Sequence, residues 1–322
     1  MNKSRPKVGI VLLNWNGWKD TIECIKSFKE VSYHNFQIIV VDNGSTDDSV
    51  KKLSNLKYPI TLIETGKNLG FAGGNNVGIH HALKAGNEYI MLLNNDTTVD
   101  KKFLTIFVNY AEKNPKVGAL TGKIYYFSDP DRFWFAGAEK GKLGEMPGHR
   151  GYNERDTGQY DSVTETDLVS GCLFFARAKA LKKVGLLDDN FFWSYEDADW
   201  TDRFKRAHFE CRYLPKAVIW HKVSSSRSNY FSPLFLYYEE KGRLLWQSKN
   251  IPDFSTTDKI SQTASYLWQT WQHAKNNHQS AKSGLCLIFS RIIGVIDYLF
   301  HKMGPAPSSI MWLHKIYKQE QL

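Results

Sequence analysis

Residues 89–97 have the sequence YIMLLNNDT, in which five apolar residues are followed directly by three polar, turn-forming ones. An uninterrupted apolar run of this length is typical of a strand that is covered on both faces, as in a parallel sheet. Such sheets bind ligands at the carboxyl ends of their strands. Asp96 is therefore either a carboxylate in a ligand site or a turn former before a helix near Asp100, and its residue type leaves both open.

The segments around this stretch alternate between strand-like and helix-like patterns over the first 115 residues. The strand patterns cover 8–13, 37–41, 60–63 and 89–93, and the helix patterns cover 18–29, 47–55, 75–85 and 101–113. This alternation predicts an α/β fold with a doubly wound, mostly parallel central sheet flanked by helices. Residues 122–166 instead break into short aromatic stretches and loops, before strand and helix patterns return.

After Lys222 the chain becomes helical, basic and aromatic, and this part carries +6 of the formal net charge of +9. Residues 285–300 place apolar residues at helical spacing, but Arg291 and Asp297 interrupt the run and argue against a membrane-spanning helix. Two interpretations stay open. The helix could dock on the rest of the protein, or it could lie in a membrane interface with its basic residues toward lipid phosphates.

The cysteines and the N-terminus indicate a cytoplasmic protein. Four widely spaced cysteines without a CxxC motif predict neither a disulfide scaffold nor a structural zinc site. The apolar run near the N-terminus is too short for a signal peptide or a membrane span. No zinc finger, RNP-like segment or lysine-rich arm accompanies the basic charge, so we expect no nucleic-acid partner.

Two segments in the first half suggest a nucleotide site. Asp42 ends a predicted strand, where a carboxylate can accept a hydrogen bond from a ribose hydroxyl or a base imide. The turn residues 43–46 are explained by turn and helix-cap chemistry alone. Residues 65–76 pack four glycines into a predicted strand-to-helix connection, which would let backbone amides approach a nucleotide. The glycine spacing matches neither the dinucleotide fingerprint nor the P-loop.

Residues 191–200 have the sequence FFWSYEDADW, with three carboxylates at the expected start of a helix. Acidic residues favour this end of a helix for electrostatic reasons alone. The aromatic residues before them suggest a partly desolvated pocket, in which a carboxylate becomes a better proton acceptor.

His221 follows a strand-like stretch, and a lone histidine is more often structural than a ligand. Asp96 could hold Mg²⁺ or Mn²⁺ together with substrate phosphates.

Five motifs, taken in order, resemble glycosyltransferase family 2, and especially its branch of rhamnosyltransferases and galactofuranosyltransferases. They are LNWN at 13–16, VDNGSTD at 41–47, NLGFAGGNN at 68–76, LNND at 93–96 and YEDAD at 195–199. The resemblance extends over residues 7–225. It implies a GT-A fold and an inverting transfer in one displacement from a nucleotide sugar, with dTDP-rhamnose favoured and a UDP-sugar as the other option.

The resemblance also implies roles for individual residues. Asp197 of the Glu196-Asp197 pair would be the catalytic base, and Asp96 would bind Mg²⁺ or Mn²⁺ with His221 completing the site. Asn94 stands where the DxD motif of the family has its first acid, which makes the need for a metal an open question. The residues expected to bind the nucleotide are Leu13, Asn14, Asn16, Asp42, Asn68, Gly70, Asn75, Asn94 and Asn95, with Asp42 on the pyrimidine.

From this resemblance we expect a GT-A catalytic domain over 1–225, with a nucleotide-binding half at 1–115 and an acceptor half at 116–225. Residues 226–322 would form a helical, basic region that could associate with a membrane. The expected acceptor is a hydroxyl of a glycan or of a polyprenyl-linked saccharide in cell-surface polysaccharide synthesis, at the inner face of the cell membrane. The alternatives are a nucleotidyltransferase that makes nucleotide sugars and a non-catalytic module that binds a nucleotide or a glycan.

Overall fold

The structure is a computed structural model that describes residues 5–223 and 231–320. Its strands are β1 (Val8–Asn14), β2 (Phe36–Asp42), β3 (Ile60–Glu64), β4 (Tyr89–Asn94), β5 (Thr97–Val99), β6 (Val117–Tyr126), β7 (Phe133–Phe135), β8 (Ala138–Glu139), β9 (Gly148–His149), β10 (Thr164–Glu165), β11 (Leu173–Arg177) and β12 (Glu210–His221). Its α-helices are α1 (Trp18–Ser27), α2 (Ser49–Ser54), α3 (Gly70–Lys84), α4 (Phe103–Lys113), α5 (Ala178–Val184), α6 (Glu196–Arg206), α7 (Pro233–Asn250), α8 (Thr256–Asn276), α9 (Ala281–Leu299) and α10 (Ser308–Glu320).

One large sheet forms the centre of the fold, with the strand order β10-β12-β6-β11-β4-β1-β2-β3. The strands β4, β1, β2 and β3 are parallel to one another, as are β6 and β12. Between these two parallel groups lies β11, which is antiparallel to both β4 and β6. The predicted mostly parallel sheet, with helices on its faces and a helical C-terminal part, is confirmed.

The central strands are apolar on both faces because helices cover both faces of the sheet. One buried cluster combines alternate residues of β1 and β4 with α1 and α4, and a second combines the other residues of these strands with α3 and α6. Register then aligns the strand ends: Leu13 pairs with Asn94, and Asn14 pairs with Asp42. The polar residues that follow these strands therefore meet at one edge of the sheet.

The glycine-rich segment differs from the prediction, because α3 begins at Gly70 rather than at Asn75. Gly73 and Gly74 consequently lie inside a helix and not in a connecting loop. A Cβ atom on Gly74 would lie 2.5 Å from Cδ1 of Leu13, so the glycine allows α3 to approach β1 closely. Gly74 thus serves helix–strand packing.

Two long strands were only partly predicted. The strand β6 begins at Val117, before the segment in which we expected only short strands and loops. The strand β12 joins two stretches, 211–214 and 218–220, that the sequence presents as separate. Its register against β6 shifts between Leu214 and Val218, around Pro215, because proline cannot donate a ladder hydrogen bond.

The C-terminal helices pack on one another and on the sheet-containing part of the chain. The helix α7 contacts α6, and α9 lies along α7 and also contacts α8 and α10. Across residues 5–223 and 231–320, no helix combines the length and the apolar content that crossing a bilayer requires.

Candidate active site

The end of β2 is a buried polar cluster around Asp42, whose side chain is 2% exposed. Oδ1 of Asp42 accepts hydrogen bonds from Nδ2 of Asn14 at 2.8 Å and from Oγ of Ser45 at 2.6 Å. Oδ2 accepts a hydrogen bond from the backbone N–H of Ser45 at 3.0 Å. Thr21 in turn donates to Oδ1 of Asn14 at 2.9 Å. The cluster fixes the carboxylate of Asp42 at the edge where β1 and β2 end.

Two asparagines shape the loops beside this cluster. Asn16 has a positive φ of 53°, and its Oδ1 accepts the N–H of Thr46 at 2.8 Å. Oδ1 of Asn68 accepts the N–H of Gly70 at 2.8 Å. Gly70 has a φ of 76°, and a side chain there would collide with the carbonyl oxygen of Phe192, so only glycine fits. Both asparagines therefore hold the backbone around the predicted nucleotide site.

Two more of the predicted nucleotide ligands, Asn75 and Asn95, make contacts within the protein. Asn75 lies in α3, and its Nδ2 donates to the carbonyl of Phe71 at 2.9 Å. Asn95 follows β4, and its Nδ2 donates to Oγ1 of Thr21 at 2.8 Å. A role of either side chain in binding a nucleotide stays a prediction.

The loop after β4 brings Asp96 to the end of β12. Thr97 pairs with His221 in the antiparallel ladder between β5 and β12. Nε2 of His221 then lies 3.0 Å from Oδ1 of Asp96 and 3.5 Å from Nδ2 of Asn94. The backbone N–H of Lys222 also donates to the carbonyl of Asp96 at 2.9 Å. Two residues that lie far apart in the sequence thus form one carboxylate–imidazole pair.

This pair could supply two of the ligands of a divalent cation, and substrate phosphates and water would supply the others. Within residues 5–223 and 231–320, no group of three or more His, Cys, Asp or Glu residues could hold a metal ion. One carboxylate combined with substrate phosphates and water is the usual arrangement for Mg²⁺ and Mn²⁺. Nδ1 of His221 is buried without a hydrogen-bond partner in the described structure, so Nε2 makes the polar contacts of this ring. A cation bound here would take Oδ1 of Asp96 and Nε2 of His221 as ligands, in place of the contact between these two atoms.

A strained turn positions two acidic residues, Glu196 and Asp197. Ser194 and Tyr195 have positive φ angles of 77° and 69°, which residues other than glycine rarely adopt. The helix α6 starts directly afterwards with Glu196 and Asp197. Oδ2 of Asp197 accepts the N–H of Gly171 at 2.8 Å, and this bond orients the carboxylate. Glu196 is buried beside it.

The helix α7 packs against this turn and supports it. A Cβ atom on Gly242 would lie 2.8 Å from the carbonyl oxygen of Ser194 and 3.2 Å from Cδ2 of Tyr195. The Tyr195 ring also packs on the Trp246 ring, with their centroids 5.8 Å apart. Strained backbone persists only where its surroundings enforce it, and here α7 supplies that enforcement.

The third acid of the motif has a structural role. Asp199 is fully buried, and its carboxylate pairs with Nε of Arg203 at 2.8 Å and with Nζ of Lys249 at 3.0 Å. Nδ2 of Asn250 donates a further hydrogen bond to it at 3.0 Å. Asp199 thereby ties α6 to the end of α7, and Glu196 and Asp197 remain as the acids that face a cavity.

The cavity has a volume of about 150 Å³ and is lined by both acids and by Asn94. Its remaining wall is largely aromatic, and includes Trp134, His149, Trp193 and Phe235. The ring centroid of Trp134 lies 4.8 Å from that of His221, in an edge-on arrangement. Asn94 and Trp134 therefore connect the cavity to the Asp96–His221 pair. The predicted acids thus line the cavity, and the predicted metal ligands Asp96 and His221 lie next to its wall.

Comparison with known proteins identifies the family of this chain. The model of glycosyl transferase family 2 matches residues 9–185, which is more than half of the chain. The chain belongs to glycosyltransferase family 2. This assignment confirms the family that the five motifs indicate.

Several curated glycosyltransferases are similar to this family 2 chain. The poly-β-1,6-N-acetyl-D-glucosamine synthase of Staphylococcus epidermidis is 24% identical, over 67% of the chain and 50% of the synthase. The chain thus spans half the length of that relative. A dTDP-rhamnosyl transferase of Shigella flexneri is 25% identical, over 69% of the chain and 74% of the transferase. The N-acetylglucosaminyl-diphospho-decaprenol L-rhamnosyltransferase of Mycobacterium tuberculosis is 27% identical, over 59% of the chain and 67% of the relative.

Solved structures show the fold. GalNAc-T7 with UDP, GalNAc and Mn²⁺ superposes with a TM-score of 0.59 at 12% identity, over 77% of this chain and 48% of its own. The mannosyltransferase PcManGT of Pyrobaculum calidifontis, in complex with GDP-Man and Mn²⁺, superposes with a TM-score of 0.55 at 14% identity. The superposition covers 99% of this chain and 82% of the mannosyltransferase. At these identities the likeness concerns the fold alone. The predicted GT-A fold is confirmed.

The site also contains residues that the sequence did not single out. Ser45 and Thr21 complete the cluster around Asp42 and Asn14, and Ser45 at least lies within a quoted motif. Trp134 and His149 line the cavity from the irregular segment 122–166, where no motif marks them. Their only signal in the sequence was the aromatic content of that segment.

Proposed function

We propose that this protein is an inverting glycosyltransferase that moves a sugar from a nucleotide sugar to a hydroxyl group. The observation that carries the proposal is the cavity lined by Glu196 and Asp197, together with the Asp96–His221 pair that adjoins its wall at Asn94 and Trp134. The Asp96–His221 pair suits the diphosphate of a donor, and the Glu196–Asp197 pair suits the hydroxyl of an acceptor. A direct displacement needs the donor and the acceptor bound at the same time.

The residues divide the reaction between them. Asp42 and Asn14 would bind the base of the donor, and the loops of Asn16 and Asn68 would enclose the rest of the nucleotide. Asp96 and His221 would hold Mg²⁺ or Mn²⁺, which when bound neutralises the charge that develops on the leaving diphosphate.

Asp197 is the proposed catalytic base. Its carboxylate is oriented by Gly171 and would take the proton from the acceptor hydroxyl as the hydroxyl oxygen attacks the anomeric carbon. Attack from the side opposite the diphosphate inverts the anomeric centre in one step. The buried Glu196 would position the acceptor beside it. An acceptor bound against the aromatic residues of the cavity would displace water from both acids, which would limit hydrolysis of the donor.

For the donor we propose a dTDP- or UDP-linked sugar, with dTDP-rhamnose favoured. Two of the relatives are rhamnosyltransferases, and one of these is named for a decaprenol-linked substrate. We accordingly propose a glycan or polyprenyl-linked acceptor in cell-surface polysaccharide synthesis, at the inner face of the cell membrane. In this proposal residues 1–225 form the catalytic domain and residues 226–322 form a supporting helical region.

Thermal stabilisation by a panel of nucleoside-diphosphate sugars, with and without Mn²⁺, tests the donor and the metal together. We expect one nucleotide to raise the melting temperature, and Mn²⁺ to increase the shift. A nucleotidyltransferase would instead respond to a nucleoside triphosphate and release pyrophosphate. A non-catalytic relative would bind the nucleotide sugar without any transfer or hydrolysis.

A further inference from the structure

The helices α8, α9 and α10 carry most of the large apolar side chains that are exposed in the described residues. On α9 these side chains form a single stripe at helical spacing, made of Leu285, Phe289, Ile296, Leu299 and Phe300. The opposite face of α9 is buried against α7. The residues of the stripe are 42–70% exposed, so much of its surface is left uncovered by the described residues.

The stripe continues onto the neighbouring helix α8. A Cβ atom on Gly284 would lie 3.0 Å from the Trp271 ring, so this tryptophan borders the start of the stripe. Trp268, one turn earlier, is 63% exposed, and Phe300 at the other end is 70% exposed. We call the stripe together with Trp268 and Trp271 the apolar face. A contiguous group of exposed large apolar side chains is typical of an interaction site.

The charge around the apolar face is mostly positive. From 256 to 320, which spans α8 to α10, the sequence contains seven lysines and arginines and three acids, Asp258, Asp297 and Glu320. Asp297 is buried and accepts a hydrogen bond from the Tyr237 hydroxyl at 2.7 Å. Arg291 is buried as well and pairs with Glu240 at 2.7 Å. The charge that remains at the surface is predominantly positive: Glu320 pairs with Lys282 at 3.0 Å, and the exposed lysines include Lys275, Lys302, Lys315 and Lys318.

The positive and apolar groups are adjacent. Nζ of Lys302 lies 5.9 Å from the ring centroid of Phe300, at the end of the stripe. A surface that combines exposed tryptophan, phenylalanine and leucine with lysines fits the boundary between lipid headgroups and acyl chains. Lysines near an anionic leaflet are attracted by its negative surface potential.

We propose that the apolar face docks this protein on the surface of an anionic phospholipid bilayer. A second copy of the chain fits this face less well, because a symmetric contact would bring the lysines of one copy against those of the other. The inference deepens the proposed function, since a polyprenyl-linked acceptor lies in the same bilayer. The docked helix α9 packs on α7, and α7 supports the turn before Glu196. The face is thus one helix layer away from the acid turn.

Vesicle binding tests the proposal without any substrate. The full chain is mixed with vesicles of phosphatidylcholine alone or of phosphatidylcholine with phosphatidylglycerol, and binding is measured by co-sedimentation. We expect binding to the anionic vesicles to be tighter by about tenfold or more, and to weaken as salt is raised. Tryptophan emission should shift to the blue on binding, because Trp268 and Trp271 leave water.

Variants then locate the contact. Phe289→Ser combined with Leu299→Ser and Phe300→Ser should reduce binding about tenfold or more by removing apolar anchors. Lys302→Gln with Lys315→Gln and Lys318→Gln should remove the preference for anionic lipid. The matched controls change exposed residues elsewhere: Leu143→Ser with Val163→Ser, and Lys57→Gln with Lys113→Gln and Lys116→Gln. These controls should bind as the unmodified protein does.

Three results would overturn the proposal. They are an absence of binding to anionic vesicles, unchanged binding by the apolar variant, and a solution dimer that the apolar variant converts to a monomer. Light scattering detects the last of these. Transfer to a soluble acceptor is measured on the same variants, so that a failure of membrane docking is distinguished from a failure of the proposed activity.

Discussion

Nε2 of His221 lies 3.0 Å from Oδ1 of Asp96, and both side chains are buried. This contact joins the loop after β4 to the end of β12. It is the place in the site where we propose that a metal binds. We predict that Asp96→Asn lowers kcat/KM for the donor by about a hundredfold or more, because the leaving diphosphate loses its charge partner. The additional stabilisation by Mn²⁺ in the presence of donor should disappear. Asp48→Asn, an exposed substitution of the same kind, serves as the control. An unchanged Mn²⁺ effect in Asp96→Asn would contradict the assignment.

The two acids Asp197 and Asp199 should behave oppositely when each is changed to asparagine. Asp197→Asn should lower kcat by about a hundredfold or more while leaving donor affinity unchanged, because only proton transfer is lost. Asp199→Asn should lower the free energy of unfolding by about 3 kcal/mol, since Arg203 and Lys249 lose their buried partner. Steady-state kinetics and urea unfolding separate the two effects. Near-normal turnover in Asp197→Asn would remove it as the base.

The close contact between α7 and the acid turn predicts that Gly242→Ala affects catalysis. The new methyl group would press on the carbonyl of Ser194 and displace the turn that aims Glu196 and Asp197. We expect kcat to fall about tenfold, with little change in donor KM, because small misplacements of catalytic groups reduce rates strongly.

Gly294→Ala is the matched control for Gly242→Ala. It crowds the carbonyl of Tyr237 at 2.7 Å in the contact between α9 and α7, away from the acid turn. Both substitutions should lower the free energy of unfolding by about 1–3 kcal/mol through overpacking. Only Gly242→Ala should lower kcat. Equal effects of the two on kcat would show that general destabilisation is responsible.

The pH dependence of stability should report on Lys241, which is buried between Tyr237 and backbone carbonyls of the chain after α9. Burial lowers its pKa from the usual 10.5 to about 8. Between these values the unfolded chain holds a proton that the folded protein has released, so the contribution of this residue to stability rises with pH. From pH 7 to 9.5 the rise is about 2 kcal/mol. Lys241→Met should lack this rise in urea unfolding, and parallel pH profiles for the two proteins would contradict the shift.

The sequence predicts the central half of the sheet well, because its strands carry an uninterrupted apolar signal. The run at 89–93 forms β4 as expected, with Asp96 just beyond its end. The strand β6 was only partly predicted, since its buried residues include Gly, Thr and Lys. Lys123 is buried there by pairing with Asp156 at 2.7 Å and Asp161 at 2.6 Å. Ion pairing with residues far along the chain is not visible in local periodicity.

The site was predictable only where motifs mark it. The meeting of Asp96 and His221 depends on β5, a three-residue strand that is too short to show a pattern. The role of α7 was not predicted either, because the positive φ angles of Ser194 and Tyr195 fall on residues that normally avoid them. Such strain is set by tertiary contacts, here with Gly242, and leaves no signature in composition.

The most direct test of the central claim is the anomeric configuration of the product formed from a nucleotide sugar, followed by NMR together with nucleoside diphosphate release. We predict that the donor identified by thermal stabilisation yields one nucleoside diphosphate for each sugar transferred to a saccharide acceptor. The new linkage should have the configuration opposite to that of the donor, and Asp197→Asn should abolish its formation. Retention of configuration, or release of pyrophosphate from a nucleoside triphosphate in place of transfer, would contradict the account.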